Sequence, residues 1–152
     1  MMHFKSLLNN IIYSILFFSL FSPLIANSKL NIKIENAHSS SINFKVEIAN
    51  TKELRESGLM FRTKLEKKEG MLFIFPYEKI IKMWMKNTQI PLDIIFISED
   101  KKIVDIVENA KEMSDTIIVS KVKSKYVLEI NSGLVKHLNI NIGDNLNFGK
   151  FQ

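Results

Sequence analysis

The sequence predicts a single mainly-β domain, a sandwich or partly closed barrel with two short helices at about 51–58 and 132–138. Two observations carry that reading. Apolar residues recur with period two in several runs separated by polar turn residues, as in half-buried strands. Two further runs, Met71–Phe75 and Leu92–Ile97, are almost wholly apolar and too short for buried helices, as in strands covered on both faces. About eight strands of this kind leave room for little else.

The first residues stand apart. Met1 to Lys5 carries one positive charge, Ile11 to Phe21 is apolar apart from Ser14 and Ser19, and Ser22-Pro23-Leu24-Ile25-Ala26 closes the run with small residues. This is the order of a secretory signal peptide, with cleavage expected after Ala26, or else after Ser28. An uncleaved anchor is the alternative, but the strictly apolar part is about half of the roughly 20 residues a spanning helix needs. The chain of 152 residues then divides into a signal peptide over 1–26 and one domain over 27–152, periplasmic or secreted, with no stable membrane insertion after cleavage. The domain holds 20 basic against 16 acidic side chains, a net +4 without a block of like charge. That does not make a nucleic-acid footprint. With no cysteine, there is no disulfide framework or thiol chemistry, and an ordinary apolar core must hold the fold.

In chain order, Leu30, Ile32 and Ile34, then Ile42, Phe44, Val46 and Ile48, alternate with polar residues and predict a hairpin across the turn Asn36–Ser40. His38 is an exposed residue of that turn. Thr51 can cap a short helix, Glu53 suits its positive end, and Gly58 can close it. Met71–Phe75 is a buried strand that Pro76 is expected to stop. Ile80–Lys86 reads as a strand with two unlike faces: Ile81, Met83 and Met85 on one, Lys82, Trp84 and Lys86 on the other. Pro91 makes Asn87–Pro91 a loop. Leu92–Ile97 and Lys102–Val107 form a second hairpin, and Ile117–Val122 and Tyr126–Ile130 are further strands. Asn131 or Ser132 is expected to cap the second helix, Gly133–Leu138, with Lys136 and His137 in its last turn, where positive charge is favourable. Leu146–Phe148 ends the series.

The residues able to carry chemistry are charged groups beside apolar runs. Asp93 stands between Leu92 and Ile94, and Glu129 between Leu128 and Ile130. Arg55 and Arg62 flank Gly58-Leu59-Met60-Phe61, and Lys86 opens a polar loop with Asn87 and Thr88. An unpaired buried carboxylate costs several kcal/mol. One expectation is therefore structural, with Asp93 and Glu129 paired to Arg55, Arg62 or Lys86, or accepting loop amides. The other is a site. In it Arg55, Arg62, Trp84, Lys86, Asn87, Thr88 and Asp93 bind a polar or anionic small molecule, glycan or peptide, and Asp93 or Glu129 is a candidate general base. Met83-x-Met85 is a soft-donor spacing suited to Cu(I), yet methionine also fills irregular cores, and no metal or cofactor is expected. No Gly-rich phosphate loop, His-Glu-x-x-His or Gly-x-Ser-x-Gly occurs.

Several blocks together resemble a known family. They are Glu53-Leu54-Arg55-Glu56-Ser57-Gly58-Leu59-Met60-Phe61-Arg62, Gly70–Phe75, Trp84-Met85-Lys86-Asn87-Thr88-Gln89-Ile90-Pro91-Leu92-Asp93, Tyr126–Gly133 and Ile142-Gly143-Asp144. In this order they resemble the small prokaryotic family known as domain of unknown function 192, across about Leu30 to Phe148. The resemblance implies a compact, mainly-β, jelly-roll-like domain, often behind an export signal, and no established activity. Arg55, Gly58, Met60, Arg62, Gly70, Met71, Trp84, Met85, Lys86, Asn87, Thr88, Pro91, Asp93 and Glu129 fall on the family's pattern. Ser132 stands where a small residue is usual, and Asn109–Ser114 lacks an expected proline. The leading expectation is an exported ligand-binding β-domain with its surface around Lys86–Asp93, flanked by Arg55 and Arg62. The alternatives are a small envelope enzyme using Asp93 or Glu129 as base, and an envelope interaction module whose polar cluster is structural.

Overall fold

A computed structural model describes residues 29–36 and 41–149. The predicted signal peptide and His38 lie outside the described residues. The strands are β1 (Lys29–Glu35), β2 (Ser41–Ala49), β3 (Glu69–Lys79), β4 (Lys82–Met83), β5 (Leu92–Ile97), β6 (Ile103–Ala110), β7 (Ile118–Val119), β8 (Ser124–Asn131) and β9 (Asn145–Phe148). The helices are α1 (Lys52–Ser57) and α2 (Leu134–His137). Seven strands form one sheet in the order β6-β5-β8-β3-β2-β1-β9, and β4 and β7 pair separately. The pairing of β2 with β3 is parallel, which the intervening α1 crossover permits.

The sheet curls into a half-barrel, because its last strand returns toward the first. Leu146 N–H donates to the Lys101 carbonyl at 2.8 Å, and Ile103 N–H donates to the Asp144 carbonyl at 2.9 Å. Period-two alternation then sends side chains to two apolar layers. One fills the inside of the curl with Ile32, Phe44, Val46, Leu72, Ile95, Leu128 and Leu146. The other covers the outer face of the central strands with Met71, Phe73, Leu92, Ile94, Phe96 and Val127. The segments around Leu59 and from Ile81 to Ile90 close over this second layer.

α1 forms as its sequence predicts. Thr51 is extended at the N-cap and its hydroxyl accepts the Leu54 N–H at 3.2 Å, while Gly58 leaves the helix at φ 45°. Four expectations need correction. Pro76 does not stop β3, which runs on to Lys79; the register with β8 shifts between Ile74 and Lys79, and that irregularity tolerates the missing donor. Ile80–Lys86 forms only the two-residue β4, because its backbone leaves the sheet to cross the outer layer, with Met85 N–H donating to the Ser114 carbonyl. Ile117–Val122 likewise shortens to β7. Neither Asn131 nor Ser132 caps α2: Gly133, at φ 82°, holds the N-cap position without a side-chain bond. Asn131 Nδ2 instead donates to the Leu65 and Glu66 carbonyls, and Ser132 Oγ to Asn109 Oδ1.

Candidate functional site

Asp93 and Glu129 look alike in the sequence, each a carboxylate inside an apolar run. The register separates them. Asp93 lies opposite Ile130, and Ile94 opposite Glu129, in the pairing of β5 with β8. Residues directly opposite share a face. Asp93 therefore joins Ile130 on the inner layer, and Glu129 joins Ile94 on the outer one.

Asp93 is fully buried and fully used. One carboxylate oxygen accepts the Asn109 N–H at 2.9 Å and the other the Val135 N–H at 2.9 Å. The second bond satisfies an orphan donor at the start of α2, so Asp93 caps from a distance the helix that its neighbours do not cap. It also ties β5 to the end of β6. Of the expectations for this residue, the geometry is that of a carboxylate accepting loop amides.

Glu129 has the opposite surroundings. It sits on β8, the third of seven strands in the sheet order, between Met71 of β3 and Ile94 of β5. It is only 3% exposed. Among the described residues nothing donates a hydrogen bond to its carboxyl or pairs with it. Every fully enclosed side-chain oxygen or nitrogen among those residues has a partner, so the carboxyl keeps its small remaining surface where it opens on a cleft. Burial pushes its pKa from 4.5 up to about 8. At neutral pH it is mostly a neutral acid.

The cleft lies between α1 and the Trp84–Thr88 segment. Gly58, Met60, Met83, Trp84 and Thr88 line it with Glu129, and Arg55 stands at its side. About 20 Å³ is open to the centre of a water molecule, room for about one water-sized group. Gly58 permits the close approach: a Cβ there would lie 3.2 Å from the Phe73 ring at a φ that side chains rarely adopt. Gly70 does the same from below. A Cβ on it would come within 2.5 Å of the Glu129 carbonyl oxygen, so only glycine lets β3 and β8 pair closely at this position.

Of the predicted cations only Arg55 lines the cleft. Arg62 makes a two-pronged pair with Glu47 at 2.5 and 2.6 Å and does not line the cleft. Arg55 donates through Nη1 to the Asn50 carbonyl at 2.7 Å and the Ile74 carbonyl at 2.9 Å, and its guanidinium lies 5.2 Å from the Phe75 ring centre. Lys86 is exposed, with its ammonium 5.6 Å from the Trp84 ring. The Trp84 ring is itself 41% exposed, whereas Met83 and Met85 are buried, so the two unlike faces of this segment survive although most of it is not strand. Thr88 is buried; its hydroxyl donates to the Lys86 carbonyl at 3.2 Å and its N–H to the Met85 carbonyl at 3.1 Å. Asn87, at φ 53°, accepts the Phe61 N–H at 2.8 Å.

The structure thus brings Trp84, Thr88, Glu129 and the flank of Arg55 to one cleft, sets Lys86 and Asn87 beside it, and places Asp93 and Arg62 away from it. Gly58, Met60 and Met83 join it without having been singled out as site residues. Only the motif spacing Gly58–Met60 hinted at the first two. The family model for "Uncharacterized ACR", DUF192, matches residues 33–148.

This chain belongs to the DUF192 family.

No curated protein matches this DUF192 chain. Solved structures do, among them the following two. A Sinorhizobium meliloti 1021 protein, provisionally described as a transcription regulator, is 40% identical with a TM-score of 0.79, over 80% of this chain and 95% of that one. A protein of unknown function from Novosphingobium aromaticivorans DSM 12444 is 34% identical with a TM-score of 0.78, over 82% and 89% of the two chains. Among the described residues of this DUF192 domain, no group of three or more His, Cys, Asp or Glu side chains is disposed to hold a metal ion.

Proposed function

We propose that this DUF192 chain is an exported ligand-binding β-domain, periplasmic or secreted, and that its site is the Glu129 cleft beside Trp84, Lys86 and Thr88. The observation that carries the reading is Glu129, only 3% exposed, without a partner for its carboxyl among the described residues, and lining that cleft. A buried polar group left without a bond costs about 1–3 kcal/mol. A ligand that supplies the bond recovers that energy, which Asp93 already draws from two amides. Trp84 adds an exposed aromatic face beside the opening. The ligand class shifts from anionic toward polar, because Arg62 is paired with Glu47 away from the cleft and Arg55 turns Nη1 to two backbone carbonyls. Export rests on the leader-like pattern of residues 1–26.

One observation favours a second reading. A carboxyl whose pKa lies near 8 is poised for proton transfer at neutral pH, which suits Glu129, rather than Asp93, as a general acid or base. The description of the S. meliloti relative supports nothing further here: the longest helix among the described residues spans six residues, and the basic excess is spread along the chain.

Trp84 is the only tryptophan, so its emission reports on the cleft. Titration with neutral sugars, amines and carboxylates should give a saturable change for at least one class, lost in Trp84-containing protein with Glu129→Leu. If none of the three classes changes the emission at millimolar concentration, the reading fails.

A further inference from the structure

We propose that the Glu129 cleft takes the ammonium tip of a primary amine whose apolar body lies across Phe61, Trp84 and Met113. The inference rests on the ligand-binding reading above and names its ligand class.

Three features of the cleft select this chemistry. The first is charge. Glu129 is a carboxyl with no cation, in a protein where Glu47 and Asp105 each have one. The charged groups that line the cleft with it are Arg55, a cation whose Nη1 is turned to the Asn50 and Ile74 carbonyls and whose guanidinium lies over the Phe75 ring, and Glu56, which pairs with Lys52 on the helix surface. Its neighbours across the sheet, Met71 and Ile94, carry no charge. The second is size. The space admits about one water-sized group, which an ammonium matches and a sugar ring or guanidinium does not. The third is the wall. The Trp84 ring attracts a cation by its quadrupole, as it already attracts Lys86 from outside.

The apolar body follows from two residues bonded to the loop beside the cleft. Phe61 is 72% exposed and Met113 57% exposed, and both hold positive φ, 63° and 56°. For bulky side chains that backbone is costly and is kept at functional sites. One loop imposes it on both. Phe61 N–H donates to the Asn87 carbonyl at 2.8 Å, and Met113 N–H to the Thr88 carbonyl at 2.9 Å. Thr88 lines the cleft. The strained backbone therefore holds two apolar side chains in solvent, each tied through its N–H to the loop that carries Thr88 into the cleft. An alkyl chain attached to the bound ammonium would cover them.

Binding by charge requires the deprotonated carboxylate, so one proton leaves Glu129 for each ammonium bound below pH 8. Trp84 emission should be titrated with n-hexylammonium, with n-hexanol and hexanoate as controls, from pH 6 to 9. The expected result is saturation by the ammonium alone, tightening about 50-fold from pH 6 to pH 8 and levelling above. Glu129→Gln should lose that binding and its pH dependence while keeping the far-UV spectrum of the parent; Glu129→Met serves as a second, apolar variant. A blocked Phe-Lys-Phe peptide run alongside separates the sources: tighter binding of the peptide assigns a lysyl side chain, and tighter binding of hexylammonium a free amine. If n-hexanol or hexanoate binds as well as the ammonium, or Glu129→Gln keeps the pH-dependent binding, the ammonium assignment is overturned and the cleft remains a site for other ligands. If none of the probes changes the emission, the ammonium assignment falls, and the ligand-binding reading falls with it only if neutral sugars also leave the emission unchanged.

Discussion

Replacing Glu129 with glutamine should stabilise the protein on the alkaline side and change it little on the acid side. Burial raises the carboxyl from 4.5 to about 8 in the fold, whereas the unfolded chain returns it to its ordinary value. Between those limits the folded state holds a proton that the unfolded state has released. Stability must then fall as pH rises through this window, by about 1.4 kcal/mol per pH unit. Over an interval of about 3.5 pH units the loss is on the order of 5 kcal/mol, complete near pH 8. That is a large part of the 5–15 kcal/mol typical of a domain. Glutamine keeps the shape and a polar end but never ionises, so its loss is absent. Urea unfolding of the wild type and Glu129→Gln at each pH from 4.5 to 9 isolates the effect, because every other titrating group cancels in the difference. The two curves should lie within about 1 kcal/mol near pH 4.5 and diverge by several kcal/mol by pH 8, with the variant the more stable. Parallel curves would refute the claim that this carboxyl is buried without a partner.

Three other perturbations test the frame around the cleft. Asp93→Asn turns one of two accepting oxygens into a donor facing an amide, and should cost about 3 kcal/mol, read as a fall of about 10 °C in melting temperature; an unchanged melting temperature would count against its fastening role. Gly70→Ala places a Cβ 2.5 Å from a backbone oxygen in the middle of the sheet, and should lower the urea midpoint strongly while leaving less soluble protein, whereas Gly133→Ala meets no atom within 4 Å and should cost only its backbone strain, about 1 kcal/mol. Expression of the full chain in a bacterial host, followed by N-terminal sequencing of the purified protein, should find Asn27 first; an intact Met1 in the periplasm would contradict cleavage after Ala26.

Much of the fold was legible because alternation is a direct consequence of the pleat. Ile32, Ile34, Phe44 and Val46 read as inward residues and are buried. Met83 and Met85 separated from Trp84 and Lys86 for the same reason, although only Lys82–Met83 is strand. An extended backbone alternates whether or not it pairs, so periodicity identified the faces and overstated the ladder. The cleft was less legible. Asp93 and Glu129 present the same local pattern. What divides them is strand register and two amides, of Asn109 and Val135, that lie 16 and 42 residues from Asp93. Arg62 finds Glu47 15 residues before it, across the parallel β2–β3 crossover, a contact that no local spacing announces. Pro76 was read by its usual effect, and the register shift that accommodates it belongs to the partner strand. The positive φ of Phe61 and Met113 is invisible in residue types that rarely adopt it.

Glu129 is a neutral carboxyl without a partner among the described residues, lining an open cleft. Carbon-13 NMR of the side-chain carboxyls, with Glu129 assigned by its absence in Glu129→Gln, measures this directly. The expected midpoint is near 8 in the free protein, falling when n-hexylammonium saturates the cleft. A midpoint near 4.5, unmoved by the amine, would contradict it.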